Sequence, residues 1–158
     1  MIGSLSDEIS RRIGQAPELY YRLVLVVAPS GSGKTPALQA VAKRTGASLV
    51  NVNLELSRRL LDLTEKQRAL RVGRLLGEIV AGAPGDVVLL DNTELLFDVS
   101  LQQRPLWLLQ KLSRNRTIVA AWNGTEQEGC VTYAEPGHAE YRRYELTDVL
   151  YVTADSAR

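Results

Sequence analysis

One cysteine, one histidine, one methionine and one phenylalanine occur in 158 residues. A lone thiol, Cys130, closes no internal disulfide, and Cys130 with His138 is too small a donor set for a metal site. Neither sign of charge dominates. Nineteen Lys+Arg stand against 18 Asp+Glu, so no overall field recommends nucleic acid as a general partner, although a local basic patch is compatible with that balance. No apolar run approaches the ~20 residues that span a bilayer. The start, Met1-Ile2-Gly3-Ser4, lacks the charged and apolar regions of a secretory leader. No repeat or low-complexity tract appears. These absences lead to the expectation of a cytoplasmic protein with no membrane partner. What is present is 45% apolar residues, enough for one well-buried core at this length. We expect a single domain over 1–158, with 1–22 as an N-terminal helix and lead-in and 154–158 as a frayed tail.

The most informative stretch is Ala28-Pro29-Ser30-Gly31-Ser32-Gly33-Lys34-Thr35. An unbroken apolar run, Leu23-Val24-Leu25-Val26-Val27, precedes it, and a helical pattern opening on Pro36 follows. Strand, glycine turn and helix form the context in which G-x-x-x-x-G-K-[ST] means a phosphate-binding loop. Gly31 and Gly33 permit positive φ and turn backbone N–H groups inward. The following helix brings its N-terminal dipole to the same anion. Lys34 suits the β/γ-phosphates, and the Thr35 hydroxyl suits Mg²⁺. Pro36 sits in the first turn, where its missing N–H costs little. Ala28 stands where the first glycine usually is. The binding set is therefore Pro29, Ser30, Gly31, Ser32, Gly33, Lys34, Thr35 and Pro36.

Residues 4–14 read as a short amphipathic helix with Ser4 and Asp7 at capping-box spacing. Pro17 ends it, and Leu19-Tyr20-Tyr21 leads to the first strand. Either tyrosine could stack on an adenine, although packing is the commoner role there. Alternation over 48–53 suits a second strand. Residues 54–62 stay ambiguous. Thr64 and Gln67 form a capping box, and Leu70, Leu75, Leu76, Ile79 and Val80 carry a helical stripe that stops at Gly82-Ala83-Pro84-Gly85. Arg68, Arg71 and Arg74 lie on that helix, either as a solvated face or as a partner surface. A third strand, 86–91, is continuously apolar and ends on Asp91, which reads as the Walker B aspartate that orients Mg²⁺. A helix over 101–112 comes next. A fourth strand, 117–122, closes on Asn123-Gly124. Beyond it, 129–133, 141–146 and 149–152 are short and β-like, with a turn over 135–138. Strands alternating with helices imply a parallel sheet covered on both faces, its polar strand ends converging at one edge.

Loop, Walker B and a polar strand end arrive in the order of AAA+-like P-loop ATPases. The chain also resembles one small family more closely, through three runs. These are 51–61 (Asn51-Val52-Asn53-Leu54-Glu55-Leu56-Ser57-Arg58-Arg59-Leu60-Leu61), 90–98 around Asp91-Asn92-x-Glu94, and 113–124 from Ser113-Arg114-Asn115-Arg116 to Asn123-Gly124. They are similar to BrxF-type P-loop proteins of type III BREX cassettes, bacterial systems that block phage replication. The likeness to the AAA+-like branch implies a three-layer α/β/α fold of about five parallel strands in the order 5-1-4-3-2 and makes Asn123 a γ-phosphate sensor; no helical lid is expected, unlike in that branch. The BrxF-type resemblance implies an ATP-binding subunit, with Mg²⁺ as the metal cofactor the loop implies, and as partners the other cassette proteins: a large ATPase, a methyltransferase and a phosphatase-like protein. Two departures bear on mechanism. Asn92 occupies the place of the usual catalytic glutamate and cannot accept a proton, which leaves Glu94 either as a substitute or as a helix cap. With no lid, an arginine finger would come from a neighbouring subunit. Arg142 and Arg143 are the first choice, Arg114 and Arg116 the second, and each also reads as a surface cation, the commoner role for any single arginine.

Four functions compete. An ATPase switch would use Lys34, Asp91, Glu94 and Asn123 as its catalytic set, with Thr35 and Asp91 holding the metal. A non-hydrolysing module would use ATP to close an interface, self-association included. A small-molecule kinase shares the loop but needs a lid and an acceptor pocket for which no insertion is long enough. A DNA-binding adaptor would rest on the arginines between Arg58 and Arg74, or would reach DNA through partners.

Overall fold

A computed structural model describes residues 4–134 and 137–153; the tail expected over 154–158 and the turn residues Glu135 and Pro136 lie outside the described residues. Helix α1 (Leu5–Gln15) opens on a complete capping box: the Asp7 amide donates to Ser4 Oγ at 3.1 Å and the Ser4 amide to Asp7 Oδ2 at 3.2 Å. Pro17 then sits in a 3₁₀ turn, Ala16–Glu18, and strand β1 runs Leu23–Ala28, buried at every position. Helix α2 (Lys34–Thr45) starts on Gly33 and stops on Gly46, both at positive φ.

The second strand is shorter than alternation alone suggests. β2 covers Ser48–Asn51, and helix α3 begins at Val52 and ends at Leu60. Asn51 is the reason, because its side chain accepts the Leu54 amide at 3.1 Å and so caps a helix. Val52, Leu56 and Leu60, four residues apart, then fall on one buried face. Helix α4 (Glu65–Gly82) has the Thr64/Gln67 capping box, but Leu70 leaves the expected stripe and is 75% exposed.

β3 spans Val87–Asp91. Two 3₁₀ turns, Glu94–Phe97 and Val99–Leu101, come first, and the second takes Leu101 from the helix expected over 101–112. Helix α5 starts only at Pro105, where a proline is tolerated because the first-turn N–H needs no partner, and ends at Leu112. β4 runs Thr117–Gln127, well beyond the expected end at Trp122, and β5 (Cys130–Tyr133), β6 (Arg142–Glu145) and β7 (Leu150–Thr153) complete the strands.

The parallel sheet has the order β2-β3-β4-β1-β7. With β7 as the fifth parallel strand, this is the 5-1-4-3-2 arrangement of AAA+-like proteins. Side-chain alternation splits the core in two. Leu23, Leu25, Val27, Ile118, Ala120 and Trp122 face α3, α4 and α5, whereas Val24, Val26, Val119 and Ala121 face α1 and α2. Each fully buried Leu, Ile or Val contributes ~2 kcal/mol from removing apolar area from water, which is what holds the three layers together. The rim at the strand starts is stitched by arginines. Arg22 Nη2 reaches Asp86 Oδ2 at 2.7 Å, and Arg116 donates to the carbonyls of Val80, Ala83 and Gly85 behind α4.

Past Asn123, β4 leaves the parallel sheet and pairs antiparallel with β5, which in turn pairs with β6. Glu128 and Gly129, at φ 54° and 81°, form a two-residue turn between Gln127 and Cys130. The ribbon approaches itself most closely at Gly124, where an added Cβ would lie 1.7 Å from the Thr132 carbonyl oxygen. No flexible side chain is available there to yield, so the strands would have to part. Gly124→Ala is expected to cost about 2 kcal/mol or more, read as a lowered urea midpoint. A midpoint within error of the parent would contradict this packing.

Candidate functional site

Three strand ends and one helix start meet at a single rim of the sheet. β1 delivers the glycine loop, β3 delivers Asp91, and β4 delivers Asn123, whose Cα partner in the register is Ala28. Gly31 and Gly33 take φ 80° and 92°, a region costly for any residue with a Cβ, so the loop depends on these two positions being glycine. Lys34 is 6% exposed, and its ammonium donates to the carbonyls of Ala28 at 2.8 Å and Pro29 at 2.9 Å. Burial lowers its pKa, while the charges of Glu94 and Asp91 push it back up. The Thr35 hydroxyl donates to Asp91 Oδ2 at 2.6 Å, and Asp91 Oδ1 accepts the Asn92 amide at 2.9 Å.

Beside this pair lies a carboxylate gripped from two sides. Glu94 Oε1 accepts from Asn123 Nδ2 at 2.6 Å, and Glu94 Oε2 accepts from Asn53 Nδ2 at 2.7 Å. Asn53 in turn accepts the Leu95 amide through Oδ1 at 2.8 Å and donates its own amide to the Asn92 carbonyl at 2.8 Å. Thr93, buried in the same turn, donates from its hydroxyl to the Ala121 carbonyl at 2.6 Å. The turn that follows Asp91 is therefore fastened to both α3 and β4. A cavity of about 350 Å³ opens over these groups, and Ser30, Gly31, Gly33, Lys34, Thr35, Pro36, Asp91, Asn92, Glu94 and Asn123 line it. Pro29 and Ser32 do not line it and are exposed, the Ser32 amide donating to the Pro29 carbonyl at 3.2 Å.

Asn53 is the site residue that sequence reasoning missed. It lay inside a run that reads as a strand, and only the helix start at Val52 turns its side chain onto Glu94. The one available signal was Asn51, a good cap two residues earlier. Asn92 shows a second constraint. Its φ of 52° is left-handed, a conformation that asparagine tolerates better than most residues.

The arginines and tyrosines go elsewhere. Arg116 is engaged by three carbonyls at the opposite rim, and Arg114 lies over the Tyr20 ring at 3.8 Å. Tyr20 meets Tyr21 edge to face at 4.8 Å in the same neighbourhood, ahead of β1, so neither ring faces the loop cavity. Arg142 donates to the Tyr141 carbonyl at 2.9 Å, and Arg143 is exposed on β6. None of the four arginines lines the cavity.

An aromatic cluster supports the site from below. Phe97, on the turn after Glu94, stacks on Tyr133 at 3.5 Å and meets Trp122 edge to face at 4.9 Å. Trp122 directly precedes Asn123, and its indole N–H donates to the Thr132 carbonyl at 3.1 Å. The rings thus fix the chain segments carrying Glu94 and Asn123 relative to each other.

The chain thus has a three-layer α/β/α fold with the AAA+-like strand order. No protein-family model and no curated protein matches the sequence. Solved structures to which the chain is similar include the following three. With Drosophila ORC bound to DNA it shares 19% identity over 94% of this chain and 41% of that one, at a TM-score of 0.49. For C. elegans PCH-2 the figures are 18%, 96% and 44%, at 0.46. For AMPPCP-bound DnaA from Aquifex aeolicus they are 17%, 73% and 36%, at 0.43. The chain spans roughly two fifths of the length of these relatives. Among the described residues no helix is long and apolar enough to cross a membrane.

Burial, then the charges of Glu140 and Glu94, push the Tyr133 phenol up to about 12. The folded chain therefore holds this proton more tightly than the unfolded chain, and stability is lost as pH rises from about 10 towards about 12. Tyr133→Phe is expected to remove the latest-titrating part of the phenolate absorbance and to flatten the stability–pH curve in that window. An unchanged curve would mean that the ring is not held as described.

Proposed function

We propose that this chain is an ATP-binding P-loop subunit with slow or partner-stimulated hydrolysis, working as a switch within a BREX-type phage-defence assembly. The observation that carries the nucleotide part is the 2.6 Å hydrogen bond between the Thr35 hydroxyl and Asp91, beside a buried Lys34. A hydroxyl and a carboxylate in contact are hard oxygen donors of the kind Mg²⁺ selects, so Thr35 and Asp91 would hold the ion, directly and through its water shell. Bound there, Mg²⁺ would neutralise phosphate charge. The amides around Gly31 and Gly33 and the Lys34 ammonium would take the phosphates, and Pro29, Ser30, Ser32 and Pro36 shape that cradle. Support for the BREX assignment comes from the family resemblance in the runs at 51–61, 90–98 and 113–124. The large ATPase, methyltransferase and phosphatase-like protein of such cassettes are its proposed partners, with DNA reached through them.

For hydrolysis, Glu94 is the base and Asn123 the sensor. A carboxylate with two acceptor oxygens keeps lone pairs free after accepting one amide at each, so Glu94 can still accept a proton from a water. The two amides orient it. A second reading, a module that binds ATP without turning it over, draws on Asn92, which supplies no base directly after Asp91. In that reading Glu94 is a structural clasp for Asn53 and Asn123. Any arginine finger, Arg142 or Arg143 before Arg114 or Arg116, would act on a neighbouring subunit.

Lys34→Ala is expected to weaken ATP-Mg binding by about a hundredfold or more, through loss of a charge-assisted contact. Isothermal titration measures this, and parental affinity in the variant would remove the loop from the account. Glu94→Gln preserves shape and removes the base. It should leave ATP affinity within about threefold while lowering the single-turnover rate by at least ~10²-fold. Equal rates for variant and parent would favour the non-hydrolysing module.

A further inference from the structure

The antiparallel ribbon ends on β6, which among the described strands pairs only with β5. The Leu146 amide donates to the Gly129 carbonyl at 2.8 Å, one step beyond the Cys130↔Glu145 register. Hydrogen-bonded pairs alternate along an antiparallel ladder. Tyr144 and Arg142 therefore turn their backbone groups towards β5, and Arg143 and Glu145 turn theirs to the open edge. Side chains alternate as well. Tyr144 lies on the core face, 5.8 Å from Trp122, and Arg143 and Glu145 are exposed on the other face.

An unpaired edge is a template for another strand, and proteins often block it with like charges. Here the two exposed charges are opposite in sign and sit on the two residues whose N–H and C=O groups face away from β5 and pair with no other described strand. We propose that the β6 edge pairs antiparallel with the β6 edge of a second copy of this chain, with Tyr144 on the two-fold axis. Only this register sets Arg143 of each copy opposite Glu145 of the other while pairing the free backbone groups. Centring the axis on Arg143 or on Glu145 would face like charges across the edge. The backbone parity and the charge order, two independent features, select the same alignment. The ribbon of one copy then continues into that of the other as an isologous contact. A four-residue edge is short, so the association belongs to the weak, transient class. The pairing does not depend on nucleotide.

Sedimentation equilibrium of the full chain without nucleotide tests this. A reversible dimer is expected at concentrations on the order of 100 μM. Arg143→Glu gives each copy two acidic edge residues, and Glu145→Arg gives each two basic ones, so either variant alone should dimerise about tenfold or more weakly. Mixing the two variants restores opposite charges at both pairs and should recover a heterodimer of near-parental strength, a rescue that a misfolded ribbon could not give. A parent that stays monomeric at these concentrations would overturn the proposal. So would variants that dimerise like the parent, or a mixture that stays monomeric.

Discussion

An ammonium held almost out of water sets the terms for the loop rim. Lys34 loses most of its hydration, and two backbone carbonyls and the nearby charges of Asp91 and Glu94 are what make a buried cation tolerable there. Removing water also strengthens every interaction at the rim, because field lines run through protein instead of solvent. The same low-dielectric setting that makes Lys34 costly to bury would strengthen its attraction to any anion brought there. Its two carbonyl contacts are with neutral partners.

The carboxylates at that rim are held by different means. Asp91 ends a fully paired strand, and its oxygens are taken by the Thr35 hydroxyl and the Asn92 amide. Glu94 comes from an irregular turn, and its position depends on two asparagines arriving from other elements. Phe97, Trp122 and Tyr133 lock that turn against β4, so a few stacked rings decide where a charged group stands. Packing and electrostatics meet at this point, since the segment that positions Glu94 is the one whose aromatic anchor the ribbon covers.

The ribbon is the part of the chain that departs most from a plain parallel sheet. β4 supplies its inner half to the core and its outer half to the ribbon, with Asn123 at the junction. Gly124 allows the close approach that begins the ribbon, and the Glu128-Gly129 turn closes its first hairpin.

Local physics made part of this molecule legible. A glycine-lysine-threonine loop between an apolar run and a helix, Ser4 and Thr64 caps, and a strand ending on Asp91 all act over a few residues, so their signals lie in consecutive letters. The parallel sheet followed from the alternation of elements, and the order 5-1-4-3-2 from family resemblance. Other features depended on contacts between distant segments. Asn53 reaches Glu94 across 41 positions of sequence, and no periodicity reports such a pairing. Arg116 and Arg114 read as free cations until carbonyls and a tyrosine ring from elsewhere claimed them. Leu70 fitted a helical stripe, yet the helix turns it to solvent, because a stripe marks a face without saying which neighbour covers it. Sequence determined which candidate phosphate and metal ligands this chain carries. The tertiary structure alone decided which of them stand together, because hydrogen bonds and ring contacts form between atoms close in space, whatever their spacing along the chain.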